Sequence, residues 1–283
     1  MKAKRPSGKA LHPAISSASA HTQSPDLEAG SAAHYEDPDY YCRTYKSRLE
    51  DVVFYVDRAK QVSSVLELGC GNGRITLPIA RAGTPIVGVD LSRAMITDLE
   101  ARLAEEPADV RKRVKLRVGD MRKVRERQRF EQVICPFNAF LHLYTRADVE
   151  AFLDSVTRCL APNGELLFDV SIPEPLELAR KPEKLYRTRP FLYPGMGRVK
   201  YGERFDYDAL KQVLHVSMEF EPPNAESFVT PLTHRQFYPQ ELEALLHYNG
   251  FRVSELVGDF IGPPSESSRS LVFVAKQRTK QSR

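Results

Sequence analysis

Nine residues, Val65 to Gly73, constrain this chain more than any others: VLELGCGNG. A short apolar strand runs into three glycines spaced one apart, and Glu67 stands two places before the first. Glycine enters the left-handed backbone region at no steric cost and lets a ligand approach main-chain amides closely. Strand, glycine turn and helix in succession can set an anion or a ribose against amides at a helix N-terminus. The turn reads G-C-G-N-G-R, so Arg74 stands where a dinucleotide-binding GxGxxG turn has its last glycine. A phosphate-gripping P-loop needs a Lys-Ser/Thr pair after its glycines, and that pair is absent.

The segments around the turn alternate. SVLELG predicts a buried strand and GRITLPIARAG a helix closed by Gly83. Pro78 falls near that helix's second turn, where it should cost one hydrogen bond. PIVGVD predicts a second strand, and SRAMITDLEARLAEE a helix with Ser92 as N-cap. VKLRVGD and FEQVICPF follow as strands, RADVEAFLDSVTRCL as a helix, APNG as a turn and GELLFDV as a fifth strand. Such alternation predicts a parallel sheet wound by right-handed crossovers. Beyond residue 171 a Pro-rich connection leads to RVKYGERFDYDA, KQVLHVSMEFEPP and ESFVTPLTHRQFY, whose period of two predicts antiparallel strands. PQELEALLHYNG is a helix, and FRVSELVGDF and RSLVFVAKQ are the last two strands. Upstream, Leu49, Val52, Val53 and Val56 recur at helical spacing behind an aromatic-rich lead-in. Residues 1–33, rich in Ser, Ala, Pro, His and Lys, are expected to be a disordered head.

An apolar share of 42% with 28% charge suits a globular enzyme, and no apolar run approaches the roughly 20 residues of a membrane span. The basic N-terminus lacks an apolar stretch of the secretory kind. Cys42, Cys70, Cys135 and Cys159 are scattered without metal-ligand spacing, which predicts reduced thiols in a cytoplasmic protein and no metal site. The net charge of +4 gathers largely at the two ends. The internal basic run over residues 111–129 is mixed with Glu126 and flanked by Glu106, Asp109 and Glu131. That pattern predicts a solvated surface and no nucleic-acid partner.

Two further acids point the same way as the glycines. Asp90 closes the second strand, 17 residues beyond Gly73, where a doubly wound fold sets a carboxylate on a ribose diol. Asp120 and Met121 close the third strand at the same sheet edge, where open α/β sheets bind their ligands. VLELGCGNGR, IVGVDLSRAM, VGDMRK and CLAPNGELLFDV resemble the successive motifs of the Rossmann-like (class I) S-adenosylmethionine-dependent methyltransferases, over about residues 35–275. The resemblance implies that Glu67 and the turn of Gly69, Gly71 and Gly73 lie along the amino-acid half of the cofactor. Asp90 would hold the ribose, Leu91 and Met95 would lie against the adenine, and Asp120 and Met121 would meet its polar edge and ring. It also implies a doubly wound, mostly parallel seven-stranded α/β sheet ending in an antiparallel hairpin. The methyltransferase domain would span residues 34–276. An inserted antiparallel element at about 172–238 would serve as substrate lid or homodimer contact, and residues 277–283 would be a basic tail.

The segment after the fourth strand, CPFNAFLHLY, should face the methyl group. It lacks the double proline of nucleic-acid amino-group methyltransferases, and Cys135 lacks the PC motif of enzymes that attack through a thiolate. It resembles the loop of small-molecule methyltransferases, including the amino-sugar N,N-dimethyltransferases, which carry a histidine at the place of His142. Pro136 in this loop then joins the cofactor residues. His142 is the candidate proton acceptor or substrate-orienting group, against the alternative of a packed residue opening a helix. His234 is a candidate that could reach the site from the inserted strands, against a place on the sheet surface. In related enzymes an N-terminal helix with a YxxxY-like pattern closes over the cofactor. Tyr41 with Tyr45 fits that spacing, and Arg48 would pair with the cofactor carboxylate or with a surface acid. The expected activity is methyl transfer from S-adenosylmethionine to nitrogen or oxygen of a small molecule. An RNA or protein acceptor, or a catalytically silent cofactor-binding subunit, are the alternatives.

Overall fold

The computed structural model describes residues 25–278; the first 24 residues of the expected head and residues 279–283 of the expected tail lie outside them. In chain order the strands are β1 (Val65–Leu68), β2 (Ile86–Asp90), β3 (Val114–Val118), β4 (Phe130–Cys135) and β5 (Leu160–Ser171). There follow β6 (Tyr186–Arg187), β7 (Phe191–Tyr193), β8 (Gly197–Asp208), β9 (Val213–Glu221), β10 (Phe228–Arg235), β11 (Phe251–Gly258) and β12 (Ser270–Gln277). The helices are α1 (Pro25–Ala32), α2 (Pro38–Tyr45), α3 (Glu50–Ala59), α4 (Thr76–Arg81) and α5 (Arg93–Ala104). After them come α6 (Ala108–Arg111), α7 (Arg146–Cys159), α8 (Pro175–Leu178) and α9 (Pro239–Tyr248).

Seven strands form one sheet in the order β11-β12-β5-β4-β1-β2-β3. β3, β2, β1, β4 and β5 run parallel, and β12 pairs antiparallel with both β5 and β11. This is the predicted doubly wound sheet with its C-terminal hairpin. All four residues of β1 are buried, as they must be in a strand covered on both faces. One face packs Phe140, Phe152, Phe168, Phe237 and Phe273 under α7 and α9, and Phe140 stacks on Phe168 at 4.4 Å. The other face packs Tyr55, Ala59, Ile75 and Ile79 from α3 and α4. Helix α7 begins in a capping box, with Thr145 and Asp148 satisfying each other's amides. In α4 the Leu77 and Ile79 amides reach the Gly73 and Ile75 carbonyls on either side of the one bond Pro78 cannot donate.

The inserted element is a separate antiparallel sheet, β10-β9-β8-β6, with β7 paired to β8. Its aromatic face takes Tyr40 of α2, which stacks on Tyr193 at 4.8 Å.

Three local expectations change. Residues 25–32 of the expected disordered head are helical, because Leu27 packs with Tyr144 and Val213 and Gly30 lies against Thr233 of β10. The lead-in is two helices, and α3 buries Tyr55, Ala59 and the carboxylate-bearing Asp51. Leu49 and Val53, read as part of its core stripe, are 59% and 58% exposed. The aromatic Tyr55 claims the inward direction and rotates them out. The APNG turn is absorbed at the start of β5, where Asn163 at φ 65° marks a shift of register.

Candidate active site

The carboxyl ends of β1, β2, β4 and β5 share one edge, and the turns leaving them build the site. Gly69, Gly71 and Gly73 hold φ of 77°, 52° and 87°. A β-carbon on Gly69 would stand 2.7 Å from that of Ala139, and one on Gly73 would collide with Leu99. Above Gly71 nothing lies within 4 Å of that position, so the turn faces open space at its middle glycine. The Gly71 amide donates to Oδ2 of Asp90 at 2.7 Å, and the Ser92 amide to Oδ1 at 2.8 Å. Burial raises the Asp90 carboxyl's pKa, and these amides oppose it. Each oxygen retains a lone pair for a hydroxyl. Open space beside such an acid fits a ribose diol. Glu67 is buried below the turn and accepts the Thr76 hydroxyl at 2.5 Å; burial pushes its pKa up to about 8.

The remaining adenine-side candidates scatter. Met95 is fully buried behind the Ser92 cap, whereas Leu91 is 66% exposed. The Asp120 carboxylate is held by the side chain and amide of Arg122, which also reaches Asp148 at 2.6 Å. Met121 packs against the large core cluster, and Pro136 is buried. Within the basic run, Arg113 pairs with Asp109 and Arg117 with Glu126.

The loop after β4 is strained and anchored. Phe137 and Asn138 both lie in the left-handed region, at φ 58° and 61°. Asp169, near the end of β5, accepts their amides at 2.7 and 3.2 Å and the Tyr55 hydroxyl at 2.7 Å. Burial pushes Asp169 up to about 6. No motif marked Asp169, although an acid closing an apolar strand at the edge shared with Asp90 is its signal in the sequence. The Phe137 ring lies under the Arg74 guanidinium at 4.3 Å and the Arg48 guanidinium at 4.9 Å, with Tyr45 edge-on at 4.8 Å. Arg74 is ion-paired to the buried Asp51 and donates to the Arg48 carbonyl at 3.0 Å. Cys135 is wholly buried and burial drives its thiol pKa well up, so it presents no thiolate.

Residues 33–45 strap this edge. Asn72 of the glycine turn donates to the Pro38 carbonyl at 3.3 Å, and the Ser92 hydroxyl to the Tyr35 carbonyl at 3.4 Å. Tyr41 is buried between Tyr35 and Tyr45, with ring centres 5.7 and 4.9 Å away. Tyr35 then reaches Nε2 of His142 with its hydroxyl at 2.8 Å. The structure also brings the two candidate histidines together, with His142 and His234 ring centres 5.1 Å apart. Burial lowers His142 to about 4 and His234 well below its ordinary value. His34, which no motif marked, is held at about 4 by burial and contacts the Tyr45 hydroxyl at 3.1 Å. The edge thus combines an anchored glycine turn, a ribose-competent acid and a packed cluster of uncharged imidazoles and phenols.

Residues 65–164 match the family model described as "Methyltransferase domain". Among curated proteins the chain is 28% identical over 218 residues to YqeM of Bacillus subtilis (strain 168), whose description as a methyltransferase is itself provisional. That match covers 75% of this chain and 83% of YqeM. Among solved structures it shares its fold with the CcbJ methyltransferase from Streptomyces caelestis, with a TM-score of 0.71, 22% identity, 86% of this chain and 100% of that one covered. It shares it also with CalS10, an amino pentose methyltransferase from Micromonospora echinaspora, with a TM-score of 0.63, 22% identity and coverage of 83% and 96%. The glycine turn, the closing acid and the β5-β12-β11 hairpin thus belong to a chain whose residues 65–164 match a methyltransferase domain and whose fold is the Rossmann-like (class I) methyltransferase fold.

Proposed function

We propose that the protein transfers a methyl group from S-adenosylmethionine to nitrogen or oxygen of a small-molecule acceptor. The observation that carries this reading is the Gly71–Asp90 hydrogen bond beside open space, with the Tyr35–His142 pair on the same edge. Bound cofactor supplies an electrophilic methyl on a sulfonium. The chain's own residues then have separable tasks. Gly69, Gly71, Gly73, Glu67 and Asp90 would bind the amino acid and ribose, with Arg48 and Tyr41 closing over them. Leu91, Met95, Asp120 and Met121 would line the adenine side, Leu91 and Asp120 after side-chain movement. Pro136 would wall the methyl side, and His142 would accept the acceptor's proton, with His234 orienting it.

Support for a small acceptor comes from the amino pentose specificity of CalS10 and from the inserted sheet, whose β10 roofs His142 at close range. The histidine–tyrosine cluster carries neutral hydrogen-bonding groups, which suits a nucleophile approaching uncharged. No helix among the described residues is long and apolar enough to cross a membrane. We place the enzyme in the cytoplasm, with the inserted sheet as lid or homodimer contact and no nucleic-acid partner. Calorimetric titration with S-adenosylmethionine, S-adenosylhomocysteine and NAD, beside an Asp90→Ala variant, tests the reading. Micromolar binding of the two sulfur cofactors, weakened at least tenfold in the variant, is the expected result. Binding of NAD alone, or of nothing by folded protein, would refute it. A screen of amino sugars and hydroxylated aromatics with labelled cofactor then identifies the acceptor.

A further inference from the structure

A histidine can accept a proton only through a nitrogen that does not already carry one, so the tautomer of His142 decides which face of the ring can act. Its two nitrogens have different neighbours. Nε2 faces the Tyr35 hydroxyl at 2.8 Å, and Nδ1 faces the Tyr144 hydroxyl at 3.2 Å. Tyr144 has one proton to give and two other contacts on β10, Thr233 Oγ1 at 2.6 Å and the Thr233 carbonyl at 3.2 Å. The 2.6 Å contact is the shortest, and a phenol is a better donor than an aliphatic hydroxyl. The Tyr144 proton therefore goes to Thr233. Ser31 of α1 adds a hydrogen bond to the same phenol. What the phenol oxygen then offers His142 is a lone pair, which calls for a proton on Nδ1.

We propose that Tyr144, fixed by Thr233, is a positioning residue that holds His142 in the Nδ1–H tautomer and leaves the Nε2 lone pair, aligned by Tyr35, as the proton-accepting atom. This rests on the methyl-transfer reading for its use, though not for its test. In the transfer step the acceptor atom bonds to the methyl carbon as the carbon–sulfur bond breaks and its electron pair returns to sulfur. The acceptor's proton passes to the Tyr35 phenol oxygen as the phenol's own proton passes to Nε2, so one positive charge moves from sulfonium to imidazolium and the site's net charge is unchanged. Tyr35 suits the alignment because its carbonyl is tied to Ser92, next to Asp90, while its hydroxyl reaches His142. Burial also keeps the Tyr35 phenol protonated, as a donor to Nε2 must be.

The test is two-bond proton–nitrogen correlation spectroscopy on the full chain labelled with ¹⁵N-histidine, with and without S-adenosylhomocysteine, the His142→Asn variant assigning the signal. The wild type should show His142 as Nδ1–H, the opposite of the form free imidazole prefers in water. Tyr144→Phe should convert it to Nε2–H. Thr233→Val, which removes the 2.6 Å partner and leaves only the carbonyl at 3.2 Å to compete with Nδ1 for the Tyr144 proton, should raise the Nε2–H share should Tyr144→Phe fail to fold. Tyr35→Phe should retain Nδ1–H while shifting the Nε2 resonance toward an unbonded nitrogen. An Nε2–H wild type, or a tautomer unmoved in both Tyr144→Phe and Thr233→Val, overturns the proposal. Absence of S-adenosylhomocysteine binding beside the expected tautomers would instead refute the methyl-transfer reading alone.

Discussion

At the scale of single residues, the three glycines of the turn are not equivalent, and the difference separates stability from binding. Gly73→Ala places a β-carbon on the fully buried Leu99 at a positive φ, and should cost about 2–4 kcal/mol of stability. Gly71→Ala meets no neighbour, so only its left-handed φ is penalised, at about 1 kcal/mol. The added methyl would project into the space assigned to the cofactor. Urea unfolding and S-adenosylhomocysteine titration of both variants should therefore rank them in opposite orders, Gly73→Ala the less stable and Gly71→Ala the weaker binder. Identical rankings would place the cofactor elsewhere. Glu67 is a second such residue. Its pKa near 8 means the native state keeps a proton that the unfolded chain loses above its ordinary range. Stability from this group falls as pH rises from about 4.5 to 8. Glu67→Gln, which can still accept from Thr76, should be more stable than wild type at pH 8 by on the order of 1–3 kcal/mol.

At the scale of elements, what was legible depended on how local the cause was. The strand–turn–helix unit at Val65–Gly73, the Ser92 cap and the period-two strands of the insert all follow from neighbours in sequence, and the sheet order follows from crossovers of a fixed hand. The elements that depart from their local pattern have distant causes. Helix α1 exists through Val213 and Thr233, and the facing of α3 is set by the bond from Tyr55 to Asp169, 114 residues away. The site divided in the same manner. Gly71 and Asp90 were legible because each terminates an adjacent strand, whereas the Tyr35–His142 contact joins residues 107 apart with no motif between them. The loop from Pro136 to His142 tests this division. Its two left-handed residues are held by Asp169 and not by glycine, so Asp169→Ala leaves two amides and a phenol without their acceptor. A loss of about 3 kcal/mol in urea at pH 7.5, with cofactor binding weakened at least tenfold, is expected. Unchanged binding in a folded variant would show that the loop holds itself.

For the whole molecule, the buried groups of this edge set opposing pH dependences whose sum can be worked out. His34, His142 and His234 have pKa values lowered by burial, so below about 6.5 the unfolded chain binds protons the native state refuses. Each removes up to about 1.4 kcal/mol of stability per unit of falling pH until its native pKa is reached. The raised carboxyls act in the other direction. Glu67, from about 8 downward, and Asp169, from about 6, hold protons in the native state that the unfolded chain takes up only in the ordinary carboxylate range. Between pH 8 and 6.5 only Glu67 contributes, and stability rises as pH falls. Below about 6 three histidines oppose two carboxyls, leaving a net of one proton and a loss of up to about 1.4 kcal/mol per unit. Asp90, shifted upward by burial, softens that limb further near its foot. Stability of the unliganded protein should therefore peak near pH 6.5–7 and fall on both sides. Glu67→Gln should flatten the alkaline limb, and His234→Asn should nearly level the acid limb by removing one of the three opposing histidines. Urea titrations at half-unit steps from pH 4.5 to 8.5 would show this. A curve rising monotonically to pH 8 would mean that Glu67 ionises in the native state, and with it that the floor of the glycine turn is open to water.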